Sequence, residues 1–153
     1  MRWKITVLGT ALTFLIAGLI AGCARRPGWP DTFQRTLDEA GVWKTIEVRE
    51  DLSKDDLWRS VVDSIAQKFD LEVVEKDSGY LRTSWKYTAV RGHITPMYRS
   101  RIVLKIPGGS REIVQVKCES NWTQGYGWIV GYDTRVLEDV YGDIQGRVGR
   151  VRR

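Results

Sequence analysis

Apolar residues recur with the period of a helix in two segments of the chain. From Lys54 to Phe69 they fall at every third or fourth position, which predicts an amphipathic helix that Ser53 can cap. A second stripe, from Thr134 to Val148, follows the capping residue Asp133 and predicts a closing helix. Each predicted helix has one apolar face, so each needs a layer to pack against.

Five further segments have the composition and alternation of strands. They are Lys44 to Arg49, Leu71 to Lys76, Tyr80 to Tyr87, Tyr98 to Ile106 and Glu112 to Trp122. Turn-forming residues, such as Pro107 to Ser110, separate several of them and favour antiparallel neighbours. We therefore predict a two-layer α+β fold, in which an antiparallel sheet packs one apolar face against two amphipathic helices.

A shorter helical pattern precedes the first predicted strand. A capping-box arrangement begins at Asp31, and Phe33 and Leu37 would share one face of a helix that ends at Gly41. We expect a short helix over residues 31–40.

The most apolar segment is the start of the chain, where Arg2 and Lys4 precede a run from Ile5 to Ile20. A basic head followed by an apolar middle and small residues is the order of an export signal. The alternative is an N-terminal transmembrane helix, although the run is at the short end of what spans a bilayer.

The segment from Leu19 to Cys23 resembles the lipobox of bacterial lipoproteins. The resemblance implies cleavage before Cys23 and a diacylglycerol on its thiol, so that acyl chains anchor the protein to a membrane. Because Ala24 rather than an aspartate follows, it also implies sorting to the outer membrane, with the folded part facing the periplasm.

The chain then divides into four predicted parts. They are a signal peptide (1–22), a lipidated tether (23–30), a single α+β domain (31–148) and a basic tail (149–153). The net charge of +5 becomes about +3 once Arg2 and Lys4 are removed with the signal. An exported protein meets no nucleic acid, so we expect anionic headgroups, lipopolysaccharide or peptidoglycan as the reachable acidic partners.

Residues that could carry catalysis are few. His93 is the one histidine, and neither a cysteine nor paired carboxylates lie near it in the sequence. Cys118 continues the inward set of its predicted strand, which favours burial over reactivity. We expect neither an enzyme nor a cofactor or metal; a hydrolase would require Asp77, His93 and Asp133 to converge on folding.

Two segments favour binding. The stretch from Trp122 to Tyr132 combines glycines with large aromatic rings that could face sugars, lipids or a partner protein, or could instead form a lid on the core. The C-terminal arginines could pair with phosphate or carboxylate groups, or form a solvated terminus. The candidate binding residues are Trp122, Tyr126, Trp128, Tyr132, Arg150, Arg152 and Arg153.

The stretch from Phe69 to Trp85, with the helix before it, resembles a repeat unit of the BamC (NlpB) lipoproteins. The shared order is a helix, a strand ending near Asp77, a turn at Gly79 and a second strand. The resemblance implies a helix-grip domain, which is an antiparallel sheet gripping a long helix, and a non-enzymatic accessory role in outer-membrane protein assembly. This chain differs in having one such domain and no long extended N-terminal segment.

These patterns together predict an outer-membrane-anchored periplasmic lipoprotein that binds a protein partner in envelope biogenesis. The alternative is a module that binds peptidoglycan or lipid through residues 122–132.

Overall fold

The computed structural model describes residues 30–36, 42–90, 92–109, 111–123 and 125–150. The predicted signal peptide, the lipobox with Cys23, and the tail residues Arg152 and Arg153 lie outside the described residues. Neither helix of the described part is long and apolar enough to cross a membrane.

The described part contains eight strands and two helices. The strands are β1 (Phe33–Arg35), β2 (Lys44–Glu47), β3 (Leu71–Glu75), β4 (Tyr80–Thr83), β5 (Lys86–Val90), β6 (His93–Lys105), β7 (Ile113–Thr123) and β8 (Trp128–Asp133). The helices are α1 (Lys54–Ala66) and α2 (Thr134–Val148). The sheet has the order β1-β8-β7-β6-β4-β3, with β2 paired to β7 and β5 paired to β6. Every pair is antiparallel.

The long pairing of β6 with β7 divides the sheet into two faces. Residues directly opposite each other share a face, and successive residues of a strand alternate between faces. Ile102 lies opposite Cys118, Leu104 lies opposite Val116, and all four are buried. Both helices pack on this side, which we call the helix-covered face; the other side is the open face.

The main core lies between the helix-covered face and the helices. Its buried members are Ile46, Val48, Leu57, Val61, Ile65, Leu81, Ile102, Leu104, Ile106, Val114, Val116, Cys118, Leu137, Val140, Ile144 and Val148. The predicted two-layer α+β fold is confirmed, and so are the caps, because Ser53 accepts from the Asp56 N–H and Asp133 accepts from the Val136 N–H.

A smaller aromatic cluster extends the helix-covered face beyond the helices. Phe33, Tyr98 and Trp122 are buried there, and the Tyr98 ring meets each of the other two edge to face. A hydrogen bond of 2.8 Å between the Ser100 and Ser120 hydroxyls lies between this cluster and the main core. Aromatic burial therefore replaces helix packing at this end of the sheet.

The expected helix over residues 31–40 is wrong, because residues 33–35 form β1 and pair with β8. Phe33 is buried against Tyr98, and the Thr32 hydroxyl donates to the Asp133 carboxylate at 2.8 Å. These long-range contacts outweigh a local capping pattern that spans only one turn. The remainder of the predicted helix, at residues 37–40, lies outside the described residues.

Other strands and helices begin or end at residues that differ from the prediction, and one of these differences changes the face of the sheet on which a side chain lies. The strand predicted from Tyr80 to Tyr87 breaks at Ser84 and Trp85, which places Tyr87 opposite Arg99 on the open face. The strand predicted to begin at Tyr98 begins instead at His93. Helix α1 ends at Ala66, three residues before the predicted end.

The packed unit also extends beyond the predicted domain limits of 31 and 148. Pro30 is buried. At the other end, Gly149 forms a bridge with Val48, and the Arg150 N–H donates to the Glu47 carbonyl at 2.8 Å.

Two glycine substitutions should have opposite effects on stability. A Cβ at Gly131 would lie 2.2 Å from the Gln34 carbonyl oxygen and 2.6 Å from the Phe33 ring, so Gly131→Ala should lower the free energy of unfolding by about 1–3 kcal/mol. A Cβ at Gly142, inside α2, would meet nothing within 4 Å, so Gly142→Ala should raise the free energy of unfolding by about 0.5–1 kcal/mol. Urea denaturation of both variants measures the difference; a neutral Gly131→Ala would contradict the tight approach of β1.

Candidate functional site

The open face carries an excess of positive charge on its two central strands. The opposed pairs there are Arg99 with Asn121, Arg101 with Glu119, Val103 with Lys117, and Lys105 with Gln115. On these two strands, four cations therefore accompany a single carboxylate. Arg99 and Lys105 have no ion-pair partner among the residues that the structure describes.

Two tryptophans hold the arginines of this face in place. Trp85 lies between β4 and β5, and its ring centre is 4.5 Å from the Arg99 guanidinium carbon and 4.4 Å from that of Arg101. Trp128, at the start of β8, lies on Arg99 at 4.3 Å. Each guanidinium thus stacks on an indole face, which is a favourable cation–π geometry.

A third tryptophan organises the lysines at the far end of the same face. The Trp43 ring centre is 5.1 Å from the Lys117 ammonium and 5.3 Å from the Lys105 ammonium. Glu119 bridges the two groups through Arg101 and Lys117, and we call the seven aromatic and cationic residues the open-face ladder. Its members are Trp43, Trp85, Arg99, Arg101, Lys105, Lys117 and Trp128.

Glu119 compensates two of the ladder's charges. Its carboxylate accepts from Arg101 Nε at 2.7 Å and lies 2.6 Å from Lys117 Nζ. Burial opposes its ionisation, but the two cations prevail and hold the pKa of Glu119 below its ordinary value of 4.5. The long side chains also cover Val103, which is only 3% exposed although no helix covers it.

The aromatic stretch from Trp122 to Tyr132 spans the hairpin of β7 and β8. Trp122 is buried in the aromatic cluster, and Tyr132 is partly buried against the main core. Tyr126 is fully exposed at the turn, and Trp128 is 42% exposed. Two of the four candidate aromatic residues are therefore packed within the fold, and two are exposed.

The described C-terminal arginines make contacts within the domain. Arg150 is exposed and pairs with Glu50, while Arg147 donates to the Gln67 side chain at 3.0 Å. Both are thus engaged within the domain. Arg152 and Arg153 lie outside the described residues.

The three residues required for a hydrolase do not converge. Asp77 lies in the turn beside Ile106, whereas His93 begins β6, and the 13 residues of that strand span roughly 40 Å. Asp133 is buried, caps α2 and accepts from the Tyr98 hydroxyl at 2.5 Å. Burial and this carboxylate raise the pKa of Tyr98. The contacts of Asp133 are those of a structural residue.

The described part of the chain contains no group of side chains arranged for metal binding or for thiol chemistry. No cluster of three or more histidine, cysteine, aspartate or glutamate residues occurs there. Cys118 is buried, and that burial raises the pKa of its thiol to about 11, so the reactive thiolate is scarce at neutral pH.

Most of the open-face ladder was absent from the candidate residues taken from the sequence; only Trp128 was among them. The available signal was the polar half of the alternation in β6 and β7, where arginine and lysine occupy the outward positions. Trp43 and Trp85 lie outside regular strands, so only the fold brings them to the same face.

The low pKa of Glu119 predicts a pH-dependent contribution to stability. The folded pKa lies below the unfolded value, so the ionised carboxylate stabilises the fold above about pH 4.5 and this contribution is lost as the pH falls through the folded pKa. Glu119→Gln should cost about 1.5–3 kcal/mol at pH 7, as expected for hydrogen bonds to charged groups. Urea denaturation of both proteins at pH 7 and pH 3 checks this; an equal difference at both pH values would contradict it.

Comparison with known proteins gives no family for the chain. No protein-family model matches it, and no curated protein is similar enough to count as a relative.

Proposed function

We propose that the protein is a lipid-anchored, non-enzymatic binding module of the bacterial envelope. In this proposal Cys23 carries the anchor, the domain faces the periplasm from the outer membrane, and the open face binds a protein partner in envelope biogenesis. The lipobox resemblance supports the location, and the BamC-like order of elements supports the process.

The observation that carries the binding role is the uncompensated charge of the open-face ladder. Arg99 and Lys105 lack carboxylate partners among the described residues, yet each is held against an indole ring. Charges positioned in this way favour a partner with an acidic surface. Tryptophan and arginine are also the residues that most often dominate binding energy at interfaces.

The geometry lowers the entropic cost of binding. Arginine side chains lose rotamer freedom when a partner immobilises them, and this loss weakens association. Here Trp85 and Trp128 already restrict Arg99 before a partner arrives. The ladder is therefore better prepared for binding than a set of free surface cations.

Site-specific photo-crosslinking in intact cells tests the proposal. A photoreactive residue at Thr45, which lies on the open face opposite Gln115, should yield a discrete protein adduct. The same residue at Arg59, exposed on α1, should not. Adducts at both positions, or at neither, would contradict a partner bound through the open face.

Charge reversal shows whether the ladder recognises an acidic surface. Lys105→Glu should reduce the Thr45 adduct about tenfold, because a like charge would then face the partner. Lys54→Glu, on exposed α1, is the matched control and should leave the adduct unchanged. An adduct that survives Lys105→Glu would show that the ladder's charge has no part in recognition.

A second candidate function is binding of peptidoglycan or lipid through residues 122–132. It is favoured by the exposure of the Tyr126 and Trp128 rings. For peptidoglycan, Trp128→Ala should abolish sedimentation of the protein with purified peptidoglycan while leaving its circular dichroism spectrum intact. Unchanged sedimentation would remove the sugar-binding alternative.

A further inference from the structure

Exposed apolar side chains concentrate at one end of the sheet. The turn between β5 and β6 and the turn between β7 and β8 both lie at the end where β6 begins. Most of the large apolar side chains that the described part exposes are found there. We call this set the hairpin-end patch, and its members are Tyr87, Ile94, Met97, Tyr126, Trp128 and Val130.

At each of the two turns, one large apolar side chain is more exposed than the packing of the fold requires. Ile94 is 77% exposed beside the first turn, and Tyr126 is fully exposed at the second. A solvent-facing turn gains nothing from isoleucine or tyrosine, whereas large apolar side chains exposed at one end of a protein are typical of an interaction site. A phenol ring at a protruding tip is well suited to the boundary between headgroups and acyl chains.

The two hairpins themselves carry no negative charge, although Asp31, Asp133 and Asp139 line the cleft beside them. Residues 84–99 and 121–132, which form these two hairpins, contain no aspartate or glutamate, although the chain has 19 such residues. Arg99 lies among the apolar side chains, between Trp85 and Trp128, without an ion-pair partner in the described part. Aromatic and apolar tips beside free cations are complementary to an anionic phospholipid surface.

The start of the domain lies beside this end. Pro30, the first described residue, lines one cleft together with Val90 and Gly92 of the β5–β6 hairpin. Cys23 precedes Pro30 by seven residues, which reach at most roughly 24 Å when fully extended. An N-terminus held at a membrane therefore keeps the hairpin end close to that membrane.

We propose that the hairpin-end patch inserts into the headgroup region of an anionic phospholipid leaflet, as a second membrane contact beside the N-terminal anchor. Because the anchor already supplies a high local concentration, the patch needs only weak affinity to stay docked. This orientation goes beyond the proposed partner binding. It directs the Lys105 end of the ladder, some forty ångströms along β6 by roughly 3.3 Å per residue, away from the lipid and towards the periplasm.

Lipid quenching of a probe at the second turn tests the proposal on the full chain. Tyr126→Cys carries an environment-sensitive fluorophore, and the protein is reconstituted into vesicles of phosphatidylethanolamine and phosphatidylglycerol with brominated acyl chains. Asp77→Cys, in the exposed turn at the opposite end of the sheet, is the matched control. The parent chain, which keeps Cys23 and the buried Cys118, gives the labelling background to be subtracted.

We expect at least twofold stronger quenching at position 126 than at position 77, and a clear reduction in vesicles made only of phosphatidylcholine. A second variant that adds Ile94→Ser to the labelled chain should weaken quenching at 126 while leaving the circular dichroism spectrum unchanged. Equal quenching at both labelled turns would overturn the proposal. The proposal would also be overturned if the probe at position 126 were shielded from water in native envelopes but not in lipid vesicles. A protein, rather than lipid, would then cover the patch.

The quenching experiment can fail or succeed independently of the proposal that the open face binds a protein partner. The vesicles contain no other protein, so a missing partner does not affect quenching. Both labelled variants share whatever holds the N-terminus to the bilayer, so the comparison between them does not depend on acylation of Cys23.

Discussion

The antiparallel register of β6 and β7 is the constraint on which the rest of the structure depends. Eight consecutive residue pairs, from Tyr98 opposite Trp122 to Lys105 opposite Gln115, fix which side chains face the helices. A slip of one residue in either strand would exchange its apolar and charged rows. The core under α1 and α2 and the cations of the open face are thus two results of one pairing, and neither can form without the other.

In the proposed function, this division separates stability from recognition. The helix-covered face supplies the buried apolar area that drives folding, with the aromatic cluster extending it where the helices end. The open face is protected in another way, because arginine and lysine stems and three indole rings cover its backbone while their charged ends remain near solvent. Glu119 keeps part of this charge compensated. The remaining excess is what a binding partner can use, and the hairpin-end patch adds apolar surface at one end.

Features that depend on local periodicity could be predicted from the sequence. Helix α2 begins after the Asp133 cap and ends at Val148 as its apolar stripe indicates, and the inward rows of β6 and β7 follow from alternation. Features that depend on distant contacts could not. Phe33 lies in a strand because Tyr98 and β8 are beside it, and Trp85 joins the ladder because its strand breaks there. The lipid anchor and the BamC resemblance remain predictions, since they rest on sequence patterns that neither the fold nor the comparisons test.

The central claim is that the open face and its hairpin end form the binding surface, whereas the helix side serves stability. Oxidative footprinting of tryptophan in intact envelopes, compared with the purified protein, tests it most directly. Trp128 and Trp85 should be protected in the envelope, while Trp58 on α1 should be oxidised to the same extent in both samples. Equal oxidation of Trp128 and Trp85 in the two samples, or protection confined to Trp58, would contradict the account.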